Sequence, residues 1–484
     1  MPMKKFSIAA VSLAVLLLAS CASDDVQTPA DTTAADTTPI TETADNRPAF
    51  TPDELDFGGA PYRICIFGST DRLAPETLTG EAVNDITYER NKNLAEKYHF
   101  TLEASAIADY VEHTRHISST ILAGEDAYEL VVGHVVTHCN NAVNNLFLDL
   151  YTVPYIDFSD PWYPAQSVEQ MTVYDRMYTI CTAMTYEQLN DAKVLVFNKD
   201  LLAATDTAEP YDWVRDGTWT MERLFDQTKG MYRDINGDGK RGTEDQYGFA
   251  THPYQNGFLV SCDTQVLAKT TDGGYEIAVM NPRMESLVSM LYSWYYESGD
   301  VYLGESTDEP NGPYAVFMNG NTAYAFSQLS RVAGTYRDSN IRYGIAPMPK
   351  FDEHQEEYYV FACPSQMSIP ITCANTELAG FAFDAMTYYG YYDVVPAYFE
   401  KTLQGKAADS PDDMEMLSVI NENLTVSFAY CYDNWEGFAH LLGSRMGFTV
   451  TSGQNNLASV YTKNEKKAQK RLDKVLEAFR ADLG

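Results

Sequence analysis

The residues whose spacing is most specific for chemistry lie in Asp234-Ile235-Asn236-Gly237-Asp238-Gly239-Lys240-Arg241-Gly242-Thr243-Glu244-Asp245. Oxygen side chains occupy the first, third, fifth and twelfth loop positions, and glycine stands at the sixth, where the turn is sharp. Calcium takes roughly six to eight oxygens from one compact loop. The expected ligands are therefore Asp234, Asn236, Asp238, the backbone carbonyl of Lys240, and Asp245. A helix expected over Met221–Met231 leads in as in an EF-hand. The exit differs, because Gln246-Tyr247-Gly248-Phe249 reads as a strand and the twelfth position is Asp, not the longer Glu. The expected ion is structural, not one that opens a sensor. A solvated glycine-rich turn is the competing reading.

Signatures of catalysis are missing. The sequence holds no Gly-x-Ser-x-Gly elbow, His-Glu-x-x-His helix or phosphate loop. A glycoside hydrolase needs two carboxylates about 5 to 10 Å apart across a cleft. With 68 Asp and Glu such a pair can always be named, so the count decides nothing. A net charge of −34 repels phosphate backbones and anionic headgroups, which argues against nucleic acid and peripheral membrane partners.

The element that must place these residues in a compartment is the start of the chain. Lys4 and Lys5 precede an apolar run, Phe6 to Leu18, too short to span a bilayer, and Leu18-Ala19-Ser20-Cys21 closes it with small residues. This ending resembles a bacterial lipoprotein lipobox. The resemblance implies a signal peptide over 1–20, lipidation of Cys21 by diacylglycerol and palmitate, and residence on the extracellular face of the cell membrane. An ordinary signal peptide or a short membrane anchor is the competing reading. Residues 21–59 are rich in Thr, Asp, Ala and Pro and read as a disordered acidic tether. No second apolar run reaches membrane-spanning length, so membrane contact is expected through the lipid anchor alone.

The 484-residue chain is 45% hydrophobic and 13% aromatic, enough for roughly two or three cores. From Tyr62 onward, apolar runs such as Ile64-Cys65-Ile66-Phe67 and Leu130-Val131-Val132 alternate with helical stretches at Asn84–Tyr98 and His116–Leu122. That order implies a mostly parallel sheet covered on both faces. Further strands are expected at Met177–Ile180, Lys193–Asn198, Val316–Phe326, Tyr343–Pro349 and Ser368–Ile371, and an amphipathic helix at Lys463–Phe479. Thr220 is the expected cap of the helix that begins at Met221. Of eight cysteines, those beyond Cys21 have no zinc-type spacing and read mainly as buried thiols, with any disulfide undecided.

Several phrases in fixed order carry a wider resemblance: Leu122-Ala123-Gly124-Glu125-Asp126-Ala127-Tyr128-Glu129, Val196-Phe197-Asn198-Lys199-Asp200-Leu201, Asn319-Gly320-Asn321-Thr322-Ala323-Tyr324, Tyr343-Gly344-Ile345-Ala346-Pro347-Met348-Pro349-Lys350 and Gly380-Phe381-Ala382-Phe383. With the lipobox and tether, they resemble the extracellular solute-binding proteins of ABC importers, in the sugar-binding branch, from about Tyr62 to the C-terminus. The resemblance implies an α/β fold of the two-lobed periplasmic-binding-protein type, each lobe a mixed, mostly parallel sheet flanked by helices. Crossings are placed near 178–184, 345–349 and 395–404. Lobe one then takes 60–180 plus 350–395, and lobe two takes 181–349 plus 396–484.

It also implies a non-catalytic, monomeric receptor that captures a small polar solute, an oligosaccharide foremost, between the lobes and delivers it to the transmembrane subunits of an ABC permease. Ligands collect at the carboxyl ends of strands, which selects Ser69, Asp71, Arg72 and His134 in lobe one. Thr182 and Met184 lie by the first crossing, and Ser327, Gln328 and Arg331 follow a lobe-two strand. Arg331 could instead hold a carboxylate, shifting the ligand to acidic sugars. Trp162, Tyr432 and Trp435 are the aromatic candidates for stacking on a sugar face, in competition with a core role for each. A surface glycoside hydrolase and a carbohydrate-binding adhesin are the alternatives.

Overall fold

A computed structural model describes residues 47, 49–50, 54–252, 256–304, 312–336, 339–403, 410–435, 437–439 and 453–480. The chain separates into two compact units, Met1–Pro48 and Ala49–Gly484, and both lobes belong to the second. The expected signal peptide and Cys21 lie outside the described residues. Of the tether expected over 21–59, the last part is folded: Phe50 sits 5.0 Å from the Tyr388 ring and Phe57 sits 5.2 Å from Phe381. Two aromatics within eight positions bury enough surface to dock a segment whose neighbours are polar.

In chain order the first elements are β1 (Ala60–Phe67), α1 (Ala82–Tyr98), β2 (Phe100–Ile107), α2 (Tyr110–Leu122), β3 (Leu130–Gly133) and α3 (Val135–Val143). There follow β4 (Lys193–Asn198), β5 (Tyr247–Thr251), β6 (Leu267–Lys269), β7 (Tyr275–Ile277), β8 (Val301–Leu303), β9 (Thr322–Gln328) and β10 (Tyr343–Pro347), with short helices between them. The last are β11 (Val360–Phe361), β12 (Gln366–Ser368), α4 (Thr376–Tyr389), α5 (Pro411–Glu422), β13 (Leu424–Thr425), α6 (Phe428–Cys431) and α7 (Leu457–Arg480). Among the described residues no helix is long and apolar enough to cross a membrane.

Lobe one is built on a four-stranded sheet in the order β12-β3-β1-β2. β1 runs parallel to β2 and β3, whereas β12 returns antiparallel to β3. Consecutive residues Ile64, Cys65 and Ile66 are all buried because helices cover both faces of the sheet, which is why this strand reads as an unbroken apolar run. Asp109 caps α2 by accepting from the Val111 and Glu112 amides. Lobe two carries a five-stranded sheet in the order β10-β4-β9-β5-β8, parallel at β5–β8 and β5–β9 and antiparallel at β4–β9 and β4–β10.

Several expected elements differ: α2 starts at Tyr110, ahead of the expected His116, and β12 covers Gln366–Ser368 where Ser368–Ile371 was expected. Val316–Phe326 is not one strand: Pro313–Met318 is helical, with proline at its start, and Gly320 at φ +77° turns the chain into β9. Around Met177–Ile180 only a single bridge, Ile180 to Met367, forms. The helix before the acidic loop ends at Thr228, and Gly230 at φ +70° lies beyond it.

The crossings also correct the assignment of 396–484 to lobe two. α5 does belong there, since its Asp413 accepts from the Ile345 amide of β10. The chain then crosses again: β13 pairs in parallel with β11, matching Val360 to Leu424 and Phe361 to Thr425. α6 and α7 pack on α3 of lobe one, and α7 also meets β7. On α7, Ala468, Leu472, Val475 and Phe479 are buried, the stripe its three-to-four spacing predicts. Phe479 lies 4.9 Å from Tyr178, and the Arg471 guanidinium donates to the Tyr432 carbonyl at 2.8 Å.

Candidate ligand-binding cleft

A cavity of about 790 Å³ opens between the two sheets, walled by both lobes. On the lobe-one side, β1 delivers Ile66 and Phe67, Gly68 turns at φ +91°, and the following loop presents Ser69, Arg72 and Leu73. β3 ends at Gly133, where a Cβ would fall 2.2 Å from the His138 ring, so only glycine lets α3 fold back so closely. That tight turn sets His134 at the mouth of α3. Its ring lies edge-on to Phe67 at 5.4 Å, near Tyr110 at 4.8 Å, and stacked with Trp435 at 6.1 Å and 24°. Trp435 and Asn434 both adopt left-handed backbone, at φ +58° and +51°. Such conformations cost of order 1–3 kcal/mol each and persist where the surroundings hold them. Here they turn the Trp435 indole, 45% exposed, to line the cleft.

The opposite side is polar and charged. Asp191 accepts from the Lys193 ammonium at 2.7 Å and the Gln328 amide at 3.3 Å through one oxygen, and from the Cys363 backbone amide at 2.8 Å through the other. One carboxylate thus joins β4, β9 and the strand that crosses back to lobe one. Lys193 also lies over the Phe361 ring at 5.7 Å. The Arg331 guanidinium rests on Tyr314 at 4.7 Å, and Arg72 pairs with Glu187 at 2.6 Å near the first crossing. Burial, with Lys193 adding to it, depresses His252 to about 4, and burial depresses His134 as well. Both imidazoles are neutral at pH 7 and offer one donor and one acceptor each.

Beneath the floor, Arg90 of α1 is buried and donates to the carbonyls of Met184 at 2.6 Å and Met386 at 3.2 Å, tying the first crossing to α4. Burial lowers its pKa to about 9. Beside it a Cβ on Gly390 would lie 1.9 Å from the Ala183 carbonyl, so the crossing and the end of α4 touch backbone to backbone.

Residues 89–408 match the sequence model of the bacterial extracellular solute-binding proteins. This chain belongs to that family. Solved structures share the two-lobed fold at low identity. UspC from Mycobacterium tuberculosis is 13% identical with a TM-score of 0.55, covering 86% of this chain and 100% of its own. A sugar transporter from Rhizobium etli in an open conformation is 13% identical at 0.55, covering 88% and 100%. The maltose/maltodextrin-binding domain MalE from Bdellovibrio bacteriovorus, bound to maltotriose, is 14% identical at 0.50, covering 87% and 100%. No match was found among curated proteins.

In this solute-binding protein the cavity gathers Ser69, Arg72, His134, Gln328, Arg331 and Trp435 from the residues singled out in the sequence. The others do not line it. Asp71 accepts from the Ser69 hydroxyl at 2.8 Å beside the rim. Trp162 is buried inside lobe one, its indole donating to Asp384 at 2.8 Å. Tyr432 is buried between Phe428 and Phe479. Thr182 hydrogen-bonds Thr387 at 2.9 Å, and the Met184 side chain is fully buried. Ser327 is buried with its hydroxyl on Tyr336, because alternation along β9 sends its side chain away from that of Gln328. Sequence reasoning missed Asp191, Lys193, Glu187, His252 and Tyr430, all of which line the cavity.

The acidic loop folds on its own amides. Asp234 accepts from Gly237 and Gly239, Asn236 from Asp238, Asp238 from Lys240, and Asp245 from Ile235 and Gly242. Among the described residues no three His, Cys, Asp or Glu side chains converge as a metal site.

Proposed function

We propose that this protein is a membrane-tethered receptor that captures an oligosaccharide in the cleft and delivers it to an ABC permease. The observation that carries the ligand class is the pairing of an exposed Trp435 indole, stacked beside His134, with a facing wall of hydrogen-bonding groups at Asp191, Lys193, Gln328 and Arg331. Sugars present flat apolar faces rimmed by hydroxyls, and such a site meets both. The maltotriose bound by the Bdellovibrio relative supports the same class. Tethering rests on Leu18-Ala19-Ser20-Cys21 and the polar segment after it, and mass spectrometry of the mature protein tests it: an unmodified Cys21 or a retained Met1 overturns it. The reading takes the receptor to be a monomer.

Calorimetry against a panel of oligosaccharides tests the ligand. Saturable binding without product release is expected. Product release assigns a glycoside hydrolase instead, and failure of every small molecule to bind favours an adhesin. Arg331 at the cleft favours a second reading, a sugar bearing a carboxylate, which the same panel separates through uronate-containing members. The calcium ion proposed for Asp234, Asn236, Asp238, Lys240 and Asp245 rests on their spacing, and calorimetry at millimolar calcium that gives no heat overturns it.

A further inference from the structure

The cavity is lined by Cys363, and Cys431 lies buried directly against it; the sugar-receptor reading uses neither. Cys363 lies two residues past β11 and lines the cleft, while Cys431 closes α6, four positions before Trp435. Their sulfurs are 3.3 Å apart. The backbones around them are already in register, since β11 pairs with β13 and the Ala362 amide donates to the Thr425 carbonyl at 2.9 Å. Cys363 is further fixed by its own amide on Asp191. A disulfide has its sulfurs about 2.05 Å apart, so side-chain rotation and a small approach suffice. Members of this family work outside the cell, where disulfides persist.

We propose that Cys363 and Cys431 are an intrachain disulfide site in the wall of the cleft, closed by exchange with a small-molecule disulfide entering from the cavity. One cysteine loses its proton to solvent and its thiolate attacks a sulfur of the incoming disulfide. A mixed disulfide forms and one small thiolate leaves. The second cysteine, deprotonated in turn, attacks the protein-bound sulfur and expels the other small thiolate. The two protein thiols are oxidised, the small disulfide is reduced to two thiols, and the two protons end on the leaving thiolates. Burial raises the Cys431 thiol well above its ordinary range, so the thiolate is scarce and the exchange is slow. Once formed, the bond ties the segment that follows β11 to the one that presents Tyr430 and Trp435, fixing one wall of the cavity.

The test uses the full chain, reduced and then incubated with oxidised glutathione, followed by denaturation, alkylation and peptide mapping. The expected result is the loss of two titratable thiols, a mass lower by about 2 Da, and one cross-linked peptide joining Cys363 to Cys431. Oxidation is also expected to raise the thermal midpoint by several degrees, and a Cys363→Ala/Cys431→Ala variant that keeps the native circular dichroism is expected to lose that rise. Full alkylation of both cysteines after oxidation overturns the proposal. So does a stable glutathione adduct on either one, or a cross-link that uses neighbouring Cys139 or Cys181 instead. These outcomes are read without any sugar, so they stand apart from the success or failure of the oligosaccharide screen.

Discussion

The two walls of the cleft differ in emphasis, although Ser69 and Arg72 add polar groups to the first and Tyr314 and Phe326 add rings to the second. Lobe one offers ring faces and aliphatic side chains from strand ends and one strained loop, namely Phe67, Val135, His134 and Trp435. Lobe two offers a charged lattice centred on Asp191, whose oxygens are shared among Lys193, Gln328 and the Cys363 amide. For the sugar ligand proposed above, the aromatic wall would recognise shape and apolar area and tolerate variation, because stacking has a broad optimum. The polar wall recognises direction, because each hydrogen bond left unmade strands a buried group. Affinity and selectivity are thus assigned to different lobes, and each half can be disturbed separately.

The largest disturbance is expected at Asp191. Asp191→Ala removes the partner of a nearly buried ammonium, a loss of roughly 3 kcal/mol or on the order of 100-fold in Kd by calorimetry. Asp191→Asn, which keeps the acceptor, is expected to lose less. Binding that survives Asp191→Ala intact would refute the division of labour between the walls.

Acid separates the two lobes next. Asp384, on α4 of lobe one, is raised by burial to about 6, with the Trp162 and Tyr163 hydrogen bonds opposing the shift. Its fold prefers the protonated form, so the stability it supplies is full below the unfolded value near 3.8 and is lost as pH rises through about 6. His252, on the polar wall, is lowered to about 4, so its fold prefers the neutral form and the stability it supplies is lost as pH falls from about 6.5 through about 4. Each is worth roughly 3 kcal/mol at about 1.4 kcal/mol per pH unit, with opposite sign. Relative to wild type, Asp384→Asn is expected to gain stability as pH rises from about 4 to about 6, and His252→Gln to lose it. Denaturant unfolding at several pH values measures both, and parallel profiles would refute the assignment.

Trp435→Ala is expected to weaken binding by about 1.5 kcal/mol, on the order of tenfold, with Trp435→Phe in between. A larger loss here than at Asp191 would invert the ranking of the walls. The smallest effect on ligand is expected at Trp162. Trp162→Phe breaks the indole bond to Asp384 and lowers stability by about 1–2 kcal/mol, yet leaves Kd unchanged because the ring sits outside the cavity.

The early half of lobe one was legible where an apolar run ends at a turn, as Ile64–Phe67 does at Gly68, whereas the Asp109 cap went unread and α2 starts six residues before the helix expected at His116–Leu122. Glycine at the end of β3 could be read in the sequence, but the approach of His138 that demands it could not. Among the aromatics, Trp162, Tyr432 and Trp435 stand in similarly mixed company. Their fates were decided by Asp384, by Phe479 and by a left-handed turn, none of which is a neighbour in sequence that announces itself. Asp191 was hidden among 68 acidic residues, and its Cys363 partner lies 172 positions away. The amphipathic stripe of α7 was legible, whereas the lobe it covers was not. A stripe specifies that a face is buried and says nothing of what buries it.

The last helix resting on lobe one has a mechanical consequence. Phe50 is docked against α4 and α7 is docked against α3, so the described chain enters and leaves through the same lobe. A force applied between those two ends has a path through lobe one that avoids the crossings. Fluorescent labels at both ends would remain at a fixed distance however the lobes turn, whereas one label at the C-terminal end and one on the Asp234–Asp245 loop form a ruler across the joint.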